Sequence, residues 1–269
     1  MPVVRETYSN RAILHHIAAI IRPNVLSGLW LSAKPFTQLG KGDPFVERRR
    51  PSCIKGKNLM STPSIHSLIQ HFDSALRVLN GVGQPARLNP ATPVEEQTLS
   101  ETEQKVSARL MRVNHAGEIC AQALYLGQGF TSKDPHVKET MLQAAKEETD
   151  HLLWCEARLT ELDARKSYLN PLFYTLSFVS GAVSGLLGNR FNLGFVAATE
   201  EQVVKHLEEH LKELPVEDER SKAILEQMKL DEDEHRTNAL SRGGMDFPTP
   251  VKTIMTVVSK LMTRTTYWV

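Results

Sequence analysis

Apolar residues recur at steps of three and four along most of the chain from residue 64 onward, which is the spacing of one face of an α-helix. Short polar breaks at residues 131–135 and around Pro215 separate the helices of two pairs, as expected between antiparallel neighbours in a bundle. The sequence shows none of the alternating runs, bounded by turn residues, that predict strands, so we expect an all-α fold. The predicted helices span residues 64–79, about 100–130, 136–162, 193–212, 217–242 and from 251 onward.

The connection between the two helix pairs is long and uncharged. Residues 167–189 form a run of 23 residues without a charge, which is long enough to cross a bilayer. Glycines, serines and a proline make this run less apolar than a typical spanning helix, and small residues at every fourth position permit close helix packing. A buried crossover helix, a helix that dips into the membrane interface and a true span are all open at this point. The last amphipathic helix, with Lys252, Lys260 and Arg264 nearby, is also of a kind that lies on bilayer surfaces.

Charge divides the chain into dissimilar parts. Residues 1–59 contain ten basic and three acidic residues, whereas residues 60–269 contain 22 basic and 28 acidic ones. The basic segment is similar to an organelle leader, but the run from Met60 looks equally like an ordinary translation start. We therefore expect an extension over residues 1–59 that is disordered, a leader or an over-extended start. A helix and linker over 60–93 and a helical bundle domain over 94–269 are expected to follow.

Composition excludes several classes of function. A formal net charge of +1 gives no support to nucleic-acid binding, and we expect no such partner. Cys53, Cys120 and Cys155 form no close pair, which argues against a zinc ribbon, a redox dithiol and a disulfide framework.

Glutamates and histidines interrupt the apolar faces of the four long helices in a repeated order. Two helices each carry a Glu-x-x-His pair one turn apart, and the other two each carry one glutamate on an apolar stripe. The order repeats after 82 to 84 residues, which predicts two helix hairpins related by a pseudo-twofold axis. A buried, ionised carboxylate must be paired, protonated or bound to a cation. In chain order the six residues are Glu118, Glu148, His151, Glu200, Glu232 and His235.

The chemistry of this set favours a pair of metal ions. A single Glu-x-x-His pair is common by chance on helices rich in glutamate, but two pairs with matched upstream glutamates are not. Four carboxylates and two imidazoles are the ligand set of di-iron and di-manganese carboxylate proteins. Four carboxylates balance two divalent cations, and the absence of thiolate from the set disfavours structural zinc and favours iron or manganese.

The motifs around these residues are specific. They read MRVNHAGEICAQ around Glu118, KEETDHL around Glu148, GFVAATEEQ around Glu200 and LDEDEH around Glu232. These motifs closely resemble those of the demethoxyubiquinone hydroxylases of ubiquinone biosynthesis. The resemblance runs from about residue 65 to the C terminus and is greatest to bacterial members.

The resemblance implies a ferritin-like four-helix bundle with an extra uncharged crossover helix and flanking amphipathic helices. It also implies an enzyme, an O2-dependent monooxygenase that converts a demethoxyubiquinol to a demethylubiquinol. Such an enzyme uses two iron ions per chain, with O2 as co-substrate, while NADH, a reductase and the quinol itself are candidate electron donors.

An isoprenoid quinol substrate implies a place at the membrane. We expect peripheral attachment to the cytoplasmic face of a bacterial inner membrane, or to the mitochondrial inner membrane if the first segment is a leader. The crossover is expected to meet the membrane and the quinone. Other ubiquinone-biosynthesis proteins and a second copy of this chain are candidate partners.

Related di-iron sites imply a role for each ligand. Glu148 and Glu232 would bridge the two ions, Glu118 and Glu200 would be terminal ligands, and each histidine would bind one ion. We expect Tyr125 to be an ordinary core residue or to line the substrate channel.

In related bundles the residue before each bridging glutamate reaches the opposite histidine, and the resemblance implies that it orients that histidine here. This relation would pair Asp231 with His151 and Glu147 with His235. The alternative is that both acids are solvated helix charges.

Two other functions remain open from the sequence. One is a ferritin-like protein that binds or stores iron, and the other is a lipid-binding or quinone-binding scaffold that has lost its chemistry. The uncharged crossover argues against a shell-forming storage protein, and the complete set of six ligands argues against the scaffold.

The sequence departs from the family pattern at one position. The family often carries a tyrosine after the histidine that corresponds to His206, whereas this chain has Leu207, so no role of that tyrosine carries over to this chain.

Overall fold

The computed structural model describes residues 65–269, which form seven helices and, within that range, no strand. The predicted extension over residues 1–59 lies outside the described residues, and the division into three regions stays a prediction. The helices are α1 (Ile65–Leu79), α2 (Glu101–Thr131), α3 (Pro135–Glu161), α4 (Asn170–Leu186), α5 (Asn189–Glu213), α6 (Glu219–Ser241) and α7 (Thr249–Trp268).

Local signals explain where the long helices begin. The Ser100 hydroxyl accepts from the backbone of Glu103, whose carboxylate accepts in return from the Ser100 backbone, so α2 starts with a capping box. The carboxylates of Asp134 and Asp218 cap α3 and α6 in the same position. Helix α5 begins four residues before its predicted start, because Gly188, with φ +100°, lets the chain turn directly out of α4.

The expected four-helix bundle is confirmed. Helices α2 and α3 form one hairpin and α5 and α6 the other, while α4 crosses outside the bundle against α2 and α7 packs on α2 and α5. Apolar side chains from all four bundle helices fill the core, as the helical periodicity predicts. Its largest fully buried aliphatic residues include Leu110, Met111, Ile119, Leu152, Leu159, Leu207, Ile224 and Leu225.

Helix α4 packs through its small residues. A Cβ atom at Gly181 would overlap the backbone carbonyl oxygen of Leu124 on α2, and one at Gly127 would overlap that of Phe178 on α4. This close approach confirms the packing expected from the spacing of small residues. The opposite face of α4 is apolar and exposed, through Leu172, Leu176, Val179, Val183 and Leu186. Within residues 65–269, no helix combines the length and the apolar character that crossing a bilayer requires.

Candidate metal centre

The six predicted ligands lie on the four bundle helices, one glutamate on α2 and on α5 and one Glu-x-x-His pair on α3 and on α6. The helical repeat places each histidine one turn after its glutamate on the same face. Five of the six residues are buried, and the side chain of His235 is 14% exposed. Four of them, Glu118, Glu148, His151 and Glu232, offer ligand atoms that all lie within 4.8 Å of one another.

The imidazole of His151 forms one end of the centre. Its Nδ1 atom lies 2.9 Å from Oε1 of Glu232, 3.1 Å from Oε2 of Glu148 and 3.5 Å from Oε2 of Glu118. Three carboxylates from three different helices therefore converge on one imidazole nitrogen.

The imidazole of His235 forms the other end. Its Nδ1 atom lies 3.3 Å from Oε1 of Glu148 and 3.3 Å from Oε2 of Glu232. Glu148 and Glu232 thus each turn one oxygen toward His151 and the other toward His235. This is the orientation that two bridging carboxylates adopt between two cations.

Glu200 is held by a tyrosine. The Tyr125 hydroxyl donates a hydrogen bond of 2.5 Å to Oε1 of Glu200, and both residues are buried. The rings of Tyr125 and His235 pack edge to face, with centroids 6.4 Å apart. The structure thus gives Tyr125, which the sequence predicts as a core or channel residue, a direct contact with a candidate ligand.

Burial and mutual repulsion set the protonation of the centre. Burial raises the pKa of Glu118 and of Glu200 well above the usual range. Burial acts the same way on Glu148, but the adjacent imidazoles of His151 and His235 hold its pKa below the usual range. Against the effect of burial, hydrogen bonds to carboxylates raise the pKa of His151 well above normal and that of His235 to about 12. The buried carboxylates thus require positive charge, which protons or divalent cations supply.

The donor atoms fit a pair of divalent cations. Glu118 Oε2, Glu148 Oε1 and Glu200 Oε2 are buried and have no hydrogen-bond partner, so three acceptors are available to a metal. Carboxylate oxygen and imidazole nitrogen suit iron and manganese. The buried group is therefore able to bind two iron ions.

A second carboxylate contacts the far side of each imidazole. Oδ2 of Asp231 lies 2.9 Å from Nε2 of His151, and Oε2 of Glu147 lies 3.0 Å from Nε2 of His235. Both contacts are those expected from the sequence, and in both the carboxylate accepts a hydrogen bond from Nε2–H while Nδ1 faces the glutamates. The assignment of all eight residues to a metal centre stays a prediction.

A cavity of about 700 Å³ lies beside the centre, bounded by α3, α5 and α6. It reaches His235 and Tyr125 and is bordered by Glu147 and Asp231. The sequence does not predict it, because it depends on the separation of α3 and α6. Its apolar lining consists of Met141, Ala144, Leu193, Val196 and Ala239.

One residue near the centre carries no assignable role in the sequence. Arg87 belongs to the linker before the bundle, yet its guanidinium bonds to Asp150 and Asp231 beside His151. Its position in a proline-rich segment, far in sequence from both partners, gives no periodic signal that would have identified it.

The chain is similar in sequence to known proteins. The family model described as ubiquinone biosynthesis protein COQ7 matches residues 105–266. A 3-demethoxyubiquinol 3-hydroxylase of Pseudomonas aeruginosa (strain LESB58) is 54% identical over 213 residues, which cover 77% of this chain and 99% of that protein.

Relatives of the same name occur in other bacteria. That of Azotobacter vinelandii is 55% identical over 201 residues, covering 74% of this chain and 94% of the relative. That of Nitrosospira multiformis is 53% identical over 207 residues, covering 77% and 100%. The resemblance seen in the motifs is confirmed, as is the ferritin-like fold class. The chain therefore belongs to the COQ7 family of ubiquinone biosynthesis proteins.

Proposed function

We propose that this chain is a di-iron monooxygenase that hydroxylates the ring of a demethoxyubiquinol in ubiquinone biosynthesis. Family membership favours this function over iron storage. The observation that carries the di-iron assignment is the orientation of Glu148 and Glu232. Each of these carboxylates turns one oxygen toward His151 and the other toward His235. A complete set of six candidate ligands also favours an enzyme over a scaffold that has lost its chemistry.

Bound iron would supply the redox chemistry that activates O2, the proposed co-substrate. The chain's own residues prepare the site for it. Asp231 and Glu147 accept hydrogen bonds from the Nε2–H groups of the two histidines, so that each Nδ1, once it gives up its proton, would offer its lone pair to a bound ion. Tyr125 keeps its proton on the hydroxyl and holds one oxygen of Glu200. NADH, a reductase and the quinol itself are the candidate electron donors.

Cells that lack this protein test the proposed function. We expect their organic extracts to accumulate demethoxyubiquinone and to lose ubiquinone, because the ring is no longer hydroxylated. Mass spectrometry of the quinones measures both, and a plasmid that carries the wild-type chain should restore the original profile. An unchanged quinone profile in the deletion strain would exclude the hydroxylase.

Attachment to a membrane surface is part of the proposal. Helices α4 and α7 both lie against α2 and α5, and both leave large apolar side chains exposed. Apolar surface of this kind marks a contact with lipid or protein, and the exposed Lys260 and Arg264 on α7 suit anionic lipid headgroups. On α7 the exposed apolar residues are Val251, Ile254, Val257, Val258, Leu261 and Trp268. Location at a particular membrane and assembly with other proteins stay predictions.

Binding to lipid vesicles tests this surface. We expect the double variant Leu176→Asp, Val183→Asp to lose binding by at least tenfold, because each apolar side chain withdrawn from lipid forfeits roughly 1.5–3 kcal/mol. Sedimentation with vesicles of phosphatidylethanolamine and phosphatidylglycerol measures the bound fraction. Val216→Asp is the matched control, since Val216 is 82% exposed in the connection between α5 and α6. Equal sedimentation of the double variant and the wild type would contradict the proposed surface.

A further inference from the structure

The linker before the bundle makes specific contacts with α3. The backbone N–H of Ala86 donates a hydrogen bond of 2.6 Å to Oδ1 of Asp150, and Nε of Arg87 donates one of 2.9 Å to Oδ2 of the same carboxylate. The side chain of Asp150 is 4% exposed. The two contacts anchor the linker at the point where α3 carries His151.

The guanidinium of Arg87 continues from this anchor to α6. Its Nη1 atom donates a hydrogen bond of 2.8 Å to Oδ2 of Asp231, and its Cζ atom lies 4.9 Å from the centroid of the Trp154 ring. Arg87 therefore connects α3 to α6 directly outside the candidate metal centre. The planar fork of an arginine suits this role, because it fixes the direction of each hydrogen bond.

The hydrogen bonds around Asp231 determine the direction of the Nε2 proton of His151. Oδ2 of Asp231 also accepts from Nε2 of His151, at 2.9 Å, and Oδ1 accepts from the Gln227 amide, at 2.9 Å. Nη2 of Arg87 lies 3.3 Å from Nε2 of His151, but arginine only donates hydrogen bonds. Because the Asp231 carboxylate only accepts hydrogen bonds, its contact of 2.9 Å requires a proton on Nε2 of His151, and Nδ1 faces the glutamates.

The opposite half of the centre lacks such an anchor. Glu147, which contacts His235, accepts its other hydrogen bond from the amide of Gln143, at 3.0 Å. Its side chain is 45% exposed, and no arginine or lysine of the described chain pairs with it. The two halves of the centre have the same types of ligand, but only the half at His151 has an arginine bonded to the carboxylate that orients its histidine.

We propose that Arg87 is a positioning residue of the metal centre. It holds Asp231 so that His151 keeps Nδ1 directed at Glu118, Glu148 and Glu232, and it thereby makes the ion position at His151 the tighter of the two. This inference rests on the proposed two-ion centre. It also makes part of the linker, rather than the four-helix bundle alone, a component of the site.

Titration of the metal-free full chain with Co²⁺ tests the role of Arg87. We expect the wild type to bind two ions in two steps of unequal affinity. Arg87→Gln should weaken the tighter step by about 10–100-fold, the usual effect of removing a group that supports a metal ligand, and should leave the weaker step unchanged. Arg77→Gln is the control, because Arg77 forms only an exposed ion pair with Asp73 on α1.

A second variant separates positioning from structure. Arg87→Lys keeps the positive charge but loses the planar guanidinium group, so it too should weaken only the tighter binding step. This variant tests the role of Arg87 even if Arg87→Gln fails to fold. In an Asp231→Asn background, replacing Arg87 should cause no further weakening, because its action passes through Asp231. Equal weakening of both steps, or wild-type affinities in both Arg87 variants, would overturn the inference. A wild-type chain that binds no Co²⁺ would instead refute the proposed two-ion centre.

Discussion

Replacing Glu148 by alanine is expected to abolish the binding of both iron ions and, with it, hydroxylation of the quinol. The Glu148 carboxylate is the link between the two halves, with one oxygen 3.1 Å from His151 Nδ1 and the other 3.3 Å from His235 Nδ1. Its loss removes a ligand from each ion at once and leaves three buried carboxylates whose negative charge must still be balanced. Activity should therefore fall by more than the roughly 10–100-fold that follows loss of a residue that only hydrogen-bonds to a metal ligand. Iron per chain and the yield of hydroxylated quinol measure the two effects.

Two comparisons make this result specific to the centre. Glu208→Ala removes an exposed carboxylate from α5 and should keep iron and activity at the wild-type level. Glu148→Gln preserves the shape of the side chain and removes its charge, so it should still lose iron. Added iron should raise the melting temperature of the wild type and of Glu208→Ala but not of either Glu148 variant, because a ligand stabilises only a fold that binds it. Two iron ions retained per chain in Glu148→Ala would contradict the assignment of the bridge.

Most of the fold was predictable because burial imposes a period on the sequence. Each bundle helix must turn one face toward the core, and a charged residue is tolerated on that face only when something balances it. Glu118 and Glu200 stand out for this reason, since apolar residues surround them in the helical repeat. The same logic identified both Glu-x-x-His pairs, whereas the roles of Glu147 and Asp231 were expected only by analogy with related bundles.

The features that the sequence did not predict depend on contacts that leave no periodic pattern along the chain. Arg87 reaches Asp150 and Asp231, 63 and 144 residues away, from a segment that is neither helix nor strand. The cavity beside His235 results from the spacing between α3 and α6, which side-chain volumes set jointly. Helix α4 was ambiguous because its apolar residues face outward and its small residues face the bundle, the reverse of an ordinary amphipathic helix.

That reversed packing leads to a second prediction, that Gly181→Ala will destabilise the fold by about 1–3 kcal/mol, the usual cost of forcing extra volume into a packed site. A methyl group at Gly181 would overlap the carbonyl oxygen of Leu124, and a backbone atom cannot rotate away as a side chain can. Helix α4 must then move off α2, which also displaces the apolar surface proposed to meet the membrane. Urea denaturation measures the change in the free energy of unfolding.

The same substitution elsewhere should have the opposite sign. Gly117 lies inside α2, and a Cβ atom there meets no other atom within 4 Å. Gly117→Ala should therefore raise the free energy of unfolding by about 0.5–1 kcal/mol, because alanine loses less backbone entropy than glycine in a helix. If both variants were equally stable, the close contact of α4 with α2 would not contribute to the fold. Opposite signs would show that α4 is held by the approach of its backbone to α2, which leaves its large apolar side chains free to face lipid.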